Sequence, residues 1–301
     1  MADLFKIVTD RIITELEKGC VPWQKPWVST GSCISHNDGR KYSLLNCILL
    51  GQPGEYATFN SIVNTGGRVK KGSKARMVVF FKPLKKAKKD AQGNVVLKPD
   101  GTPIEETRFL LRYYNVFRIG SDTEGIDLKY TSDEKLPCAA KADEKAQGIL
   151  DAYIRGAGVT LVHEKGDRNY YSPSLDQITL TLMEQFVSTA EYYGTAFHEV
   201  AHSTGHVSRL ARLDNTAHFG SEVYSKEELV AEISAAALVN YCGLENEKSF
   251  RSSASYCASW LQVLRNDKRF LISAATKAQK AVELVLSYSG ETITTDEPDE
   301  E

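Results

Sequence analysis

His198, Glu199 and His202 form a His-Glu-x-x-His pattern within TAFHEVAHSTGH, residues 195–206, and no other stretch restricts this chain as tightly. The run EYYGTAF that leads into it is apolar and aromatic, which predicts a helix. Residues four apart on a helix share a face about 5–6 Å apart, so both imidazoles can reach one metal ion. Glu199 then stands beside that ion as a general base. This pairing suits hydrolysis: zinc brings the pKa of water to about 7, and a neighbouring carboxylate takes the proton.

Catalytic zinc keeps three protein ligands and one open position, so a third must come from elsewhere. Gly205 has the metzincin spacing, but Ser208 occupies the place of that family's third histidine. Downstream, SKEELVAEISAAALVNY has apolar residues at helical spacing, with Ser225 as an expected N-cap. Glu228 and Glu232 fall on one face of that helix, and Ala231, Ala235 and Ala236 allow close packing. This resembles the gluzincin plan, which implies Glu228 as ligand and Glu232 as the carboxylate that orients a ligand histidine. Glu227 and Glu222 are the alternatives.

With 301 residues and 42% hydrophobic content, the chain can build two ordinary cores. No run of 18 apolar residues occurs, and MADLFKIVTDRI is amphipathic rather than a signal peptide. The expectation is a soluble cytoplasmic protein with no membrane contact. Six cysteines lack any C-x-x-C pair, which predicts free thiols in a reducing compartment.

The net charge of -2 hides an asymmetry: residues 1–125 hold 20 basic and 12 acidic residues, the remainder 17 and 27. Segregated charge suggests two parts with different partners. We expect a first domain over 1–130, a linker over 131–146, a second domain over 147–289 and a disordered acidic tail over 290–301. The first domain reads as α+β with an antiparallel sheet: a helix over residues 3–17, a buried segment KYSLLNCILL, a short helix in GEYATFNSIVNTGG, and strands in RMVVFFKPL and ETRFLLRYYNVFRI. In the second, ITLTL alternates and reads as an edge strand for an extended peptide. His163 reads as structural, and His206 as a cap or outer partner of the motif.

Ten basic residues between Arg68 and Lys89 have no acidic residue among them. Such a surface suits phosphates. Trp23, Trp27, Phe59, Tyr113 and Tyr114 offer stacking platforms, and stacking along a basic groove is how single strands are held without sequence preference.

These pieces carry a resemblance. VTDRIITELEKGCVPWQKPW, GRKYSLLNCILL, GGRVKKGSKARMVVFFKPL and RYYNVF resemble, in order, the single-stranded-DNA-binding domain of ArdC-type antirestriction proteins. YYSPSLDQITL, YYGTAFHEVAHSTGHVSRLAR and FGSEVYSKEELVAEISAAAL are similar to the zincin-like metallopeptidase domain of the same family. The departures, at SLLN and VSRLARL, touch no expected ligand. The resemblance implies a protein of a plasmid or phage that binds single-stranded DNA and opposes host restriction. It implies Zn2+ on His198, His202 and Glu228, with Glu199 as base and Glu232 behind the ligands. It implies a DNA surface that includes Trp23, Trp27, Arg68, Lys70, Lys71, Lys74 and Arg76. Tyr224 and His218 are candidates for the oxyanion donor.

Two readings follow. One is an active zinc peptidase whose unknown protein substrate is DNA-associated or a host defence protein. The other is a non-catalytic single-stranded-DNA-coating protein whose zinc is structural.

Overall fold

The computed structural model describes residues 4–17, 21–22, 33–87, 95–96, 98, 101–103, 105–130, 139–186, 188–213, 222–244 and 254–291. Within these, only the backbone is described over 81–86, 105–111, 139–142, 222–224 and 254–259. Trp23, Trp27, His218, the first half of the expected linker and nearly all of the acidic tail lie outside the described residues.

Helix α1 (Leu4–Glu17) buries Val8, Ile12, Ile13 and Leu16 and turns Lys6 and Asp10 outward, as its 3.6-residue period dictates. Strand β1 (Cys33–Ser35) is followed by α2 (Leu44–Leu50) and β2 (Gly54–Thr58). Ser43 caps α2 by accepting from the Asn46 N–H. Gly51 ends it at φ 68, where a side chain would strain the backbone. Every residue of α2 is buried, so the helix needs apolar neighbours on both sides, and β4 and the last helix supply them.

Helix α3 (Phe59–Asn64) and the short strand β3 (Arg68–Val69) lead into a long hairpin, β4 (Arg76–Ala87) with β5 (Glu105–Arg118). Their β-branched and aromatic runs favour extended backbone. The sheet has the order β1-β2-β5-β4. It is mixed rather than wholly antiparallel, because β1 and β2 run parallel, joined by α2 as a crossover. A small strand, β6 (Thr123–Glu124), pairs with β3.

Helix α4 (Ala139–Ala157) begins inside the stretch expected to be a linker, so residues 139–146 belong to an element of the second part. Its polar face gave that stretch a loop-like composition, while Ala146, Ile149, Leu150 and Tyr153 face the core. Strands β7 (Thr160–Glu164), β8 (Tyr170–Ser172) and β9 (Gln177–Thr181) form a sheet of order β7-β9-β8. The expected edge strand ITLTL is therefore central, parallel to β7 and antiparallel to β8. Thr179 and Thr181 are buried along with Ile178 and Leu180, so the alternation did not mark a solvent face.

Four helices complete the fold: α5 (Thr189–Thr204), α6 (Glu222–Cys242), α7 (Ala254–Asn266) and α8 (Phe270–Ser287). Helix α6 starts ahead of Ser225, which lies inside it rather than at the cap.

One contiguous apolar cluster spans both parts, from Val8 and Ile12 through Leu44 and Ile48 to Leu271 and Val285. Helix α1 packs on α7, and α2 packs on α8. Polar contacts fix the register: Thr9 Oγ1 donates to Lys268 O at 2.6 Å, and Leu44 N donates to Gln279 Oε1 at 3.0 Å. Asn46 clamps α2 to the sheet by donating to Val79 O and accepting from Val79 N, both at 2.8 Å. Among the described residues, no helix is long and apolar enough to cross a membrane.

Candidate metal centre

Helix α5 begins at Ser188, whose side chain accepts from Glu191 N, and buries Tyr192, Tyr193, Ala196, Phe197, Val200 and Ala201. Burying a side chain such as Phe197 or Val200 contributes about 1.5–3 kcal/mol. That apolar face fixes the rotation of the helix and turns His198 and His202 toward α6. Helix α6 buries Leu229, Val230, Ile233 and Leu238, and its buried alanines at 231, 235, 236 and 237 let it lie close.

Donor groups from three residues converge between the helices. His198 Nε2 and His202 Nε2 are 3.1 Å apart, and the Glu228 carboxylate stands 3.4 Å from each through its two oxygens. A tetrahedral cation with bonds of about 2.0–2.2 Å sets its donors roughly 3.3–3.6 Å apart. The triangle fits a divalent metal with one face left open, and His198, His202 and Glu228 form the metal-capable group among the described residues. Glu199 is 7% exposed and Glu228 5%, so both carboxylates are enclosed.

The far nitrogen of each imidazole meets its own carboxylate. Glu232 Oε1 stands 3.9 Å from His198 Nδ1, and Glu227 Oε1 stands 3.5 Å from His202 Nδ1. Glu227 thus stands at the nitrogen turned away from the triangle, not among its donors. Burial alone would lower both imidazole pKa values, but Glu228 raises His198, and Glu227 with Glu228 pushes His202 up to about 10. Burial works against ionised Glu228 as well, yet the two imidazoles hold its carboxyl well below the usual range. Glu232 goes the other way: burial pushes it up. The cluster is a concentration of enclosed negative charge that demands cations, which protons or a divalent metal can provide.

Two arginines from VSRLARL complete the surroundings, and sequence reading passed over both. Arg209 donates to Ser203 O, to Tyr171 Oη and to both oxygens of Asp176, whose carboxyl it holds below the ordinary range. Arg212 donates to Ala201 O and Thr204 Oγ1 and grips Glu227 with two bonds of 3.1 and 2.7 Å. They satisfy carbonyls that the C-terminus of α5 would leave bare. The available signal was the pair itself: two arginines directly after a motif helix, in an otherwise apolar run.

His163 Nε2 meets Tyr192 Oη at 2.8 Å, and the rings stack. His206 Nδ1 meets Ser208 Oγ at 2.8 Å, past the end of the helix. The side chain of Tyr224, like all of His218, lies outside what is described.

In the N-terminal part, several of the expected DNA-contacting cations have internal partners. Arg68 pairs with Glu124 at 2.6 Å, Lys70 donates to Gly120 O and Ser121 O, and Arg76 pairs with Asp122 at 2.5 Å. Burial would raise Asp122, but the Arg118 N–H and the Arg76 guanidinium hold it low. Lys71 and Lys74 are exposed on the turn between β3 and β4. Tyr113 (51% exposed) and Tyr114 (38%) stand on opposite faces of β5, beside the exposed Arg112.

The fold and the His/His/Glu triangle define a zincin-like metallopeptidase domain, and residues 149–277 match the family described as "Zincin-like metallopeptidase". Residues 2–117 match the "N-terminal domain of anti-restriction factor ArdC". The crystal structure of the antirestriction protein ArdC from plasmid R388, metal-free, aligns with a TM-score of 0.71 at 32% identity, covering 97% of this chain and 99% of that one. Its Mn(II)-bound form aligns with a TM-score of 0.71 at 31% identity, covering 96% and 98%. This chain therefore belongs to the ArdC family of antirestriction proteins. It is also 35% and 36% identical to two Escherichia coli DNA primases named TraC, over 94% and 93% of this chain. It spans only 20% and 27% of their lengths. A Sinorhizobium fredii protein named y4eC is 29% identical over 92% of this chain and 90% of its own length.

Proposed function

We propose that this antirestriction protein binds single-stranded DNA through its N-terminal part and hydrolyses peptide bonds at a divalent-metal site in its C-terminal part. The observation that carries the proposal is the convergence of His198 Nε2 and His202 Nε2, 3.1 Å apart, on Glu228, one carboxylate oxygen lying 3.4 Å from each nitrogen, next to enclosed Glu199. His198, His202 and Glu228 hold the metal, Zn2+ by the donor set, with Mn2+ as the ion found in the R388 relative. Once bound, the cation supplies Lewis acidity. Glu199 takes the proton of the attacking water and returns it to the leaving amine. Glu232 and Glu227 stand behind the two imidazoles, 3.9 and 3.5 Å from their far nitrogens.

On the DNA side, Lys71, Lys74 and Arg112 meet phosphates and Tyr113 stacks on bases. The peptide substrate is a protein met on DNA or a component of host defence.

The deciding experiment compares the full chain with Glu199→Gln. Both proteins are expected to bind Zn(II) and a fluorescent single strand equally, in a salt-dependent way. Only the wild type should cleave a denatured protein panel and protect incoming DNA from restriction. Full protection by Glu199→Gln would leave coating of the strand as the function, and absent or duplex-preferring DNA binding would remove the other half of the proposal.

A further inference from the structure

Three independent local features deliver Arg212 to one place. Gly205 closes α5 without a side chain: a Cβ there would stand 2.8 Å from Leu213 Cγ and 3.2 Å from Arg212 Cγ. Ala211 adopts φ 47, the left-handed region that non-glycine residues occupy at a cost of about 1 kcal/mol or more. The turn this makes is fixed by Ala211 N donating to His206 O and Arg212 N donating to Gly205 O, both at 3.0 Å. The guanidinium, 7% exposed, then bonds to Ala201 O, Thr204 Oγ1 and both oxygens of Glu227. Glu227 in turn stands 3.5 Å from Nδ1 of His202, on the side away from the triangle. Among the described residues the other imidazole has no such chain behind it, and Glu232 Oε2 has no hydrogen-bond partner.

A planar fork bonded twice to a carboxylate fixes that carboxylate in both position and plane. A carboxylate fixed at Nδ1 selects the tautomer that keeps its proton on Nδ1 and leaves the Nε2 lone pair for a metal. We propose that Arg212 is a positioning residue of the metal centre, acting through Glu227 to set the tautomer and ring plane of His202. Without it Glu227 is free to swing, either away from Nδ1 or into the coordination sphere. This rests on the reading that His198, His202 and Glu228 hold a divalent metal.

The test uses the full chain stripped of metal, with Zn(II) affinity measured against a chromophoric chelator and geometry read from the Co(II) absorption spectrum. Arg212→Gln and Glu227→Gln are each expected to lose Zn(II) affinity by about 10- to 100-fold and to change the Co(II) band shape, while Arg212→Lys recovers part of the loss. Wild-type affinity and spectrum in Arg212→Gln, with only a lower melting temperature, would overturn the proposal and leave Arg212 as a staple between helices. Should Arg212→Gln fail to fold, the near-isosteric Glu227→Gln decides alone, and unchanged affinity there overturns it. Failure of the wild type to bind Zn(II), or wild-type binding by His202→Ala, would instead overturn the metal reading underneath.

Discussion

The side chains of Arg209 and Arg212 in the C-terminal part are 4% and 7% exposed, whereas Lys71 and Lys74 in the N-terminal part face solvent. The C-terminal part is acidic by count, yet it encloses two cations. Its excess carboxylates include Glu227, Glu228 and Glu232, which surround two imidazoles, and enclosed Arg212 holds Glu227 in place. The N-terminal part is basic by count, but Arg68, Lys70 and Arg76 already hold the turn around residues 120–124. Formal charge summed along a chain therefore overstates what is available to a partner. What matters is which charges the fold has already paired.

That contrast can be broken in order of expected effect. His202→Ala should lower Zn(II) affinity by more than about a hundredfold, beyond what loss of an outer partner costs, and leave single-strand affinity unchanged. If competition titrations show that DNA affinity falls with it, the two parts do not act separately.

Metal binding should also strengthen as pH rises. With no metal bound, the His202 imidazole, raised to about 10, holds its proton at neutral pH. The metal must displace it, so log K should climb by about one unit per pH unit for each proton displaced. Zn(II) affinity that stays flat between about pH 6 and pH 8 would contradict this.

Asp122→Asn tests the paired charge of the basic part and should cost about 1–3 kcal/mol in urea unfolding. Its carboxyl is held below the ordinary value in the folded state, so its contribution is present above about pH 4 and is lost as pH falls further. The variant should therefore lose less stability than the wild type over that acid range.

The smallest effects belong to the exposed surface. Tyr113→Ala should weaken single-strand binding by about 1–3 kcal/mol, and Lys71→Ala should flatten the salt slope by about 0.7, each with stability within about 0.5 kcal/mol. Fluorescence anisotropy across a salt series reads both. A large loss of stability in either variant would mean that these side chains, too, are tied into the fold.

The shared core bears on every such measurement. Helix α2, buried along its whole length, packs on α8 as well as on β4, and α1 rests on α7, so a fragment ending near residue 130 would expose apolar surface that the full chain covers. Sequence reading divided the chain by composition and charge, neither of which reports how closely two parts pack. The same limit explains ITLTL, whose alternation described the residue types correctly but not the strand on its far side. It also explains residues 139–146, which belong to α4 despite their polar composition.

What the sequence determined by itself was local. The four-residue spacing of His198 and His202 puts both imidazoles on one helix face, and the spacing of Glu228 and Glu232 does the same on α6. The apolar runs around them rotate those faces inward, because helix periodicity is a property of consecutive residues. Only the tertiary structure decided which acidic residue reaches both Nε2 atoms, which one stands behind His202, and which arginines are enclosed. Those choices depend on the relative placement of α5, α6 and the 205–213 turn. Contacts between segments well separated along the chain are set by how whole faces pack, and no local pattern records them.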